Sequence, residues 1–312
     1  MSINDNWPAW ALLGLLSSVS LPGVAGVGYA QSQRGEQPSS PNTDDSQTSA
    51  KRVRTTSSGA QSSGTQSAKA QDGVDSQRRE VGKRQVPSVA RVAERMDLLY
   101  RSTSAEGKMS LQVVKPGRTT HMGMDFWSKG TERALIVVRS PARDKGISTL
   151  QIGDDLWQYL PRISRTMRIP PSMMLTSWMG SDFTNDDLVK DASYRDDYRG
   201  KFIGATEDGA HLRYRFEAKT DHAGLWKRID LVLEPKEMVP TSEVYFDRRG
   251  RVARRLTFED VTSFGKRRVP ARLTMQTEAK PEQHTVLTYE TIAFDAGVSS
   301  AMFSLSQLER RR

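Results

Sequence analysis

Cysteine is absent from this chain of 312 residues. That excludes disulfides, a thiolate nucleophile, Cys-ligated zinc and iron–sulfur clusters. It also excludes the acylated cysteine that anchors bacterial lipoproteins, and so favours a freely diffusing protein over an anchored one. Histidine is scarce. His121, His211, His222 and His284 are the only four, and none stands in HxH or HxxxH spacing, so no local pair of zinc ligands exists. No G-x-S-x-G elbow or P-loop occurs, and the nucleophile-elbow and nucleotide motifs they mark are missing. Acidic charge is also short. Lys and Arg number 46 against 37 Asp and Glu, a net charge of +9. Such a balance suits an anionic partner (nucleic acid, anionic lipid or an acidic protein surface), or serves solubility alone.

Long apolar runs are limited to one. Trp10 to Val27 is apolar and small, broken by Pro22 and Gly23, and it ends in Gly28-Tyr29-Ala30. The small residues there suit a signal peptidase, so residues 1–30 read as a secretory signal cleaved after Ala30. Asp5 stands where the positive n-region usually lies. The rival reading is an uncleaved anchor, for which the Gly/Pro-rich half is a poor spanning helix. Residues 31–85 are Ser, Thr, Gln and Gly with almost nothing apolar. They cannot bury enough surface to offset chain entropy and are expected to be a disordered linker.

At Pro87 the pattern changes. Val89, Val92, Ala93, Met96, Leu99 and Tyr100 recur at helical spacing, predicting an amphipathic helix over about Ser88 to Arg101. Twelve period-two segments follow, from "KMSLQVV" to "HTVLTYETIAF", punctuated by turns such as Lys115-Pro116-Gly117 and Asp208-Gly209. They predict a mainly β fold: an antiparallel meander of about eleven or twelve strands, curled into an unclosed barrel or strongly curved sheet. A short helix is expected to close the chain. The domain is expected to span residues 86–312.

One insertion interrupts the meander, from Ile163 to about Asp191. "SMMLTSWMG" predicts a short helix with Ser172 as cap and Gly180 in the left-handed position that ends it. In "TNDDLVKD", Thr184 can cap a second turn, with Asp186 and Asp187 offsetting the helix dipole. The insertion also carries Met167, Met173, Met174, Leu175, Trp178, Met179 and Phe183. They read either as a core plug or as an adaptable apolar ligand surface. The run Asp182-x-x-Asn185-Asp186-Asp187 lacks the alternate-ligand spacing, central Gly and distal Glu of a calcium loop, so no metal is expected. "RRGRVARR", Arg248 to Arg255, reads as a solvated basic rim able to meet lipid head groups. Export and the lack of stacking aromatics beside it count against nucleic acid.

The run "DDLWQYLPRISRTMRIPPSMMLTSWMGSDFTNDDLV" resembles the signature region of the LolA-like outer-membrane lipoprotein-sorting family. A Trp/Tyr strand ending in Leu-Pro is followed by "RTMRIP", a methionine-rich helix and "MGSDFTNDDL". With weaker similarity around it, the resemblance covers about Ser104 to Leu308. It implies an unclosed antiparallel β-barrel lidded by helices, with no enzymatic activity and no cofactor. It implies a monomeric periplasmic carrier of the acyl chain of a lipid or lipoprotein, delivered towards the outer membrane. The alternative is a periplasmic lipid sensor acting on a membrane partner. The branch with "MGSDF" implies an inner-membrane partner, an ABC-type or RND-type transporter. On this resemblance the candidate lipid contacts are Trp157, Tyr159, Met173, Met174, Trp178, Met179 and Phe183. Gly180, Asp182, Thr184 and Asp187 are the expected lid hinge and caps, with Asp182 accepting from nearby backbone N–H groups or from a basic side chain such as Arg165 or Arg168.

Overall fold

The computed structural model describes residues 86–189, 193–219 and 226–310. The expected signal and linker lie outside the described residues, as does His222.

Helix α1 (Val89–Leu98) begins where the sequence places it. The Ser88 side chain accepts a 3.3 Å hydrogen bond from the Arg91 N–H, which satisfies one of the orphan donors of a first turn. Its apolar stripe, Val92, Ala93 and Met96, is buried. Leu99 and Tyr100 follow the helix but still turn inward, and the Tyr100 hydroxyl donates to the Pro270 carbonyl at 2.8 Å.

Thirteen antiparallel strands form one sheet. The first six are β1 (Ser104–Lys115), β2 (Arg118–Lys129), β3 (Arg133–Ser140), β4 (Ser148–Ile152), β5 (Asp155–Leu160) and β6 (Arg165–Arg168). The second seven are β7 (Tyr198–Ala205), β8 (Leu212–Ala218), β9 (Arg228–Glu234), β10 (Val239–Phe246), β11 (Val252–Phe264), β12 (Arg267–Thr277) and β13 (His284–Phe294). The spatial order is β6-β5-β4-β3-β2-β1-β13-β12-β11-β10-β9-β8-β7. Two meanders therefore join where the first strand pairs with the last, Ala105 opposite Phe294 through Val114 opposite His284. The edges are β6 and β7, which are consecutive in sequence, so the sheet is curved and unclosed. All twelve period-two segments are strands. The thirteenth, β6, lies inside the stretch read as an insertion; cross-strand pairing to β5 creates it, not alternation.

Alternation fixes the two faces. Met109, Leu111 and Val113 of β1, Met122, Met124 and Phe126 of β2, and Leu273 and Met275 of β12 join α1 in the concave core. A smaller cluster covers the other face of β3–β5. There Leu135, Val137, Leu150 and Tyr159 pack against Val298, Phe303 and Leu308. The last two flank or lie on the closing helix α2 (Leu305–Arg310). β3 is buried on both faces, which explains its continuous run Ala134–Val138.

Candidate functional site

The described parts of the segment between the two edge strands, residues 169–189 and 193–197, lie on the concave side as a strap. A short turn, Asp186–Leu188, stands where a second turn or helix was expected, but the first helix is absent. The predicted helix over "SMMLTSWMG" is replaced by two 3-10 turns, Pro171–Met173 and Trp178–Gly180. Met179 (φ 53°) and Gly180 (φ 76°) both adopt left-handed backbone, so the chain reverses. Ser177 then bridges Thr184, and the Trp178 N–H donates to the Phe183 carbonyl at 2.8 Å. Glycine tolerates this geometry and methionine resists it. Trp178 and Phe183 account for the reversal, because both are buried in the concave core. The indole Nε1 of Trp178 also donates to Thr149 Oγ1 at 3.2 Å.

Two carboxylates of the strap, Asp182 and Asp187, tie it to distant parts of the chain. Asp182 accepts from Gln283 Nε2 at 3.0 Å and from the Thr285 hydroxyl at 2.7 Å. These partners replace the expected Arg165 or Arg168; Arg168 pairs with Asp155 instead. Thr184 and Asp187 make the expected reciprocal cap. The Thr184 N–H donates to Asp187 Oδ2 at 2.8 Å, and the Asp187 N–H to Thr184 Oγ1 at 3.3 Å. Asp187 has a second role that the sequence did not announce. It accepts two hydrogen bonds from the Arg254 guanidinium, at 2.8 and 3.0 Å, with both side chains almost fully buried.

Arg254 corrects the reading of Arg248–Arg255 as a solvated rim. Arg248, Arg249, Arg251 and Arg255 are exposed, but alternation along β11 turns Arg254 inward beside Leu256. Its guanidinium lies 4.6 Å from the Trp226 ring centroid and 4.9 Å from that of Tyr245. Burial works against its charge, and the Asp187 carboxylate outweighs that and holds it protonated. Glu243 completes the network. It accepts from Tyr194 Oη at 2.7 Å and from Tyr245, and burial pushes its carboxyl upward against these bonds and Arg254.

The strap leaves a pocket of about 360 Å³ at the end of the sheet where β1 stops and β2 starts. Val113, Thr120, Met122 and Met179 supply most of its wall, with Gly180 at the strap. Lys115 and Arg118 flank the β1–β2 turn, and Arg143 and Asp144 come from the β3–β4 connection. Lys115 Nζ sits 3.7 Å from where a Cβ on Gly180 would lie. Arg143 is paired with Asp144 at 2.9 Å.

The structure divides the predicted contact residues. Met179 lines this pocket, and Trp178 and Phe183 support it from the core. Met174 is half-buried, whereas Met173 is exposed. Trp157 and Tyr159 belong to the cluster under the closing helix, on the opposite face. The residues missed are Val113, Thr120, Met122 and the cations of the two turns. Alternation marks Val113 and Met122 as inward-facing, but no sequence signal says which end of a hairpin the strap will meet.

A curved, unclosed antiparallel sheet with its concave side filled by one helix and a strap defines the LolA-like class of β proteins. A family model described as "Uncharacterized protein" matches residues 130–310, more than half of the chain, and the chain belongs to that family. Solved structures share the fold. A DUF1329 family protein from Desulfovibrio piger superposes with a TM-score of 0.63 at 22% identity, covering 70% of this chain and 97% of that one. A putative outer membrane lipoprotein-sorting protein domain from Vibrio parahaemolyticus gives 0.57 at 19% identity, covering 66% and 92%. A LolA superfamily protein from Nitrosomonas europaea gives 0.56 at 16% identity, covering 70% and 97%. No curated protein matches the chain.

Proposed function

We propose that this protein is a periplasmic carrier without chemistry of its own, which binds an acyl chain of a lipid or lipoprotein and delivers it towards the outer membrane. The observation that carries the reading is the pocket under the strap, walled by Val113, Met122 and Met179 in a LolA-like fold. Methionine side chains are flexible and polarizable, so a wall containing Met122 and Met179 can adapt to an apolar chain. More methionines line the concave core behind it, at Met109, Met124 and Met275. Asp182 and Asp187 of the strap are engaged in holding it to the sheet and do not line the pocket. The signal-like residues 1–30 support export, and the lipoprotein-sorting domain from Vibrio parahaemolyticus supports the cargo class. An inner-membrane transporter of the ABC or RND type is the proposed donor.

The test is transfer of a fluorescent single-chain fatty acyl probe from donor to acceptor vesicles. The protein should accelerate transfer, and Met122→Asp should weaken probe binding by about tenfold or more, the scale of ~1.4 kcal/mol, because it places a carboxylate on the apolar wall. A folded protein that neither binds nor transfers the probe would sink the reading.

A further inference from the structure

We infer that the pocket under the strap selects single-chain amphiphiles with an anionic head group, held by Lys115 and Arg118 at its mouth. This deepens the carrier reading and rests on it.

The pocket has two chemically different parts. Its wall is apolar, from Val113, Met122 and Met179, and its mouth carries three cations and one carboxylate. Asp144 is occupied by Arg143. Lys115 and Arg118 have no carboxylate partner among the described residues, although the chain pairs many of its other surface cations. The two come from opposite ends of one tight turn, Lys115 closing β1 and Arg118 opening β2, with Cα atoms directly paired across the hairpin. Gly117 (φ 70°) makes that turn possible. Lys115 leans over Gly180, its Nζ 3.7 Å from where a Cβ there would lie. A carboxylate or phosphate at the mouth would receive charge-assisted hydrogen bonds from both.

Size limits the tail. The cavity volume is about 360 Å³. That suits one medium-length acyl chain and is at the low end of the range for small-molecule sites.

The test is titration of the full-length protein with four ligands below micelle-forming concentrations: dodecanoate, dodecyl phosphate, dodecyl maltoside and inorganic phosphate. The two anionic amphiphiles should bind about tenfold tighter than the maltoside, an advantage of charge-assisted bonding that falls as salt rises. The double variant Lys115→Gln/Arg118→Gln should lose that advantage and keep the maltoside affinity, while Lys115→Arg keeps both. The carboxylate and phosphate arms tell a fatty acid from a phospholipid head group. Equal affinity for all three amphiphiles, or an unchanged preference in the double variant, overturns the selectivity and leaves the carrier reading standing. Inorganic phosphate binding as tightly as dodecyl phosphate also overturns it, because the tail would then contribute nothing. Failure of every amphiphile to bind overturns both.

Discussion

Arg254 is surrounded by groups that each compensate part of its burial: Asp187 on one side, the rings of Trp226 and Tyr245 over it, and Glu243 nearby. A buried ion pair seldom adds stability over a well-packed apolar pair, but breaking one leaves an uncompensated charge. Asp187→Asn keeps the shape and removes the countercharge. We expect it to cost about 3–5 kcal/mol in denaturant unfolding. The double variant Arg254→Met/Asp187→Leu should recover most of that loss, because it removes both charges together. If the single variant costs no more than a lost cap, about 1 kcal/mol, the pair does not fasten the strap. The same residue, Asp187, thus looks like a simple helix-start carboxylate from its neighbours and like a cross-sheet latch from its tertiary contacts.

Among the elements, α1 and the strap share the concave side. α1 lies over the end where β12 begins, through Tyr100 to Pro270 and Arg95 to the Arg268 carbonyl. The strap lies over the end where β13 begins, through Asp182 to Thr285. The two touch: Asp97 accepts from the Ser193 hydroxyl and the Tyr194 N–H, both at 2.8 Å. How closely α1 can approach the sheet depends on Gly200 in β7. A Cβ there would sit 2.4 Å from Val89 Cγ1 and 2.7 Å from the Phe216 ring. Gly200→Ala should therefore push the helix outward and destabilise by about 1–3 kcal/mol, the usual cost of overpacking. The thermal midpoint checks it, and a midpoint unchanged or raised would show that α1 is not tightly seated. Period-two alternation would have placed any residue of β7 on a face; it could not say that this one meets a helix more than a hundred positions earlier.

Across the whole molecule, the open side lies between β6 and β7, and the strap is the chain's own route from one edge to the other. Its exposed Met173 and Leu175 stand beyond the buried Trp178, so the apolar character of the strap is shared between core and surface. We propose that residues 86–312 are the binding domain and that residues 31–85 act only as a linker. Deleting residues 31–85 should shift the thermal midpoint by no more than about 2 °C, as for changes away from a core, and should leave probe affinity within about twofold, some 0.4 kcal/mol. Loss of binding on that deletion would make the linker part of the site.

Fold class was legible because it depends on local period. Twelve alternating segments, one amphipathic helix with its Ser88 cap and Gly/Asp-rich turns specify an antiparallel meander without knowledge of what pairs with what. The Thr184–Asp187 cap was legible for the same reason, being a contact between near neighbours. Three things needed the tertiary structure. Met179 already turns left-handed where helical spacing predicted helix up to Gly180, whose own left-handed backbone was expected, because burying both Trp178 and Phe183 in the concave core outweighs helix propensity. Trp157 and Tyr159 fall on the face opposite Trp178, because the β4–β5 register sets Trp157 across from Leu150 and under the C-terminal segment. The pocket joins Val113, Lys115, Met122 and Met179, residues of three elements. Sequence periodicity shows which way each side chain points; the order and curvature of the thirteen strands decide which of them meet.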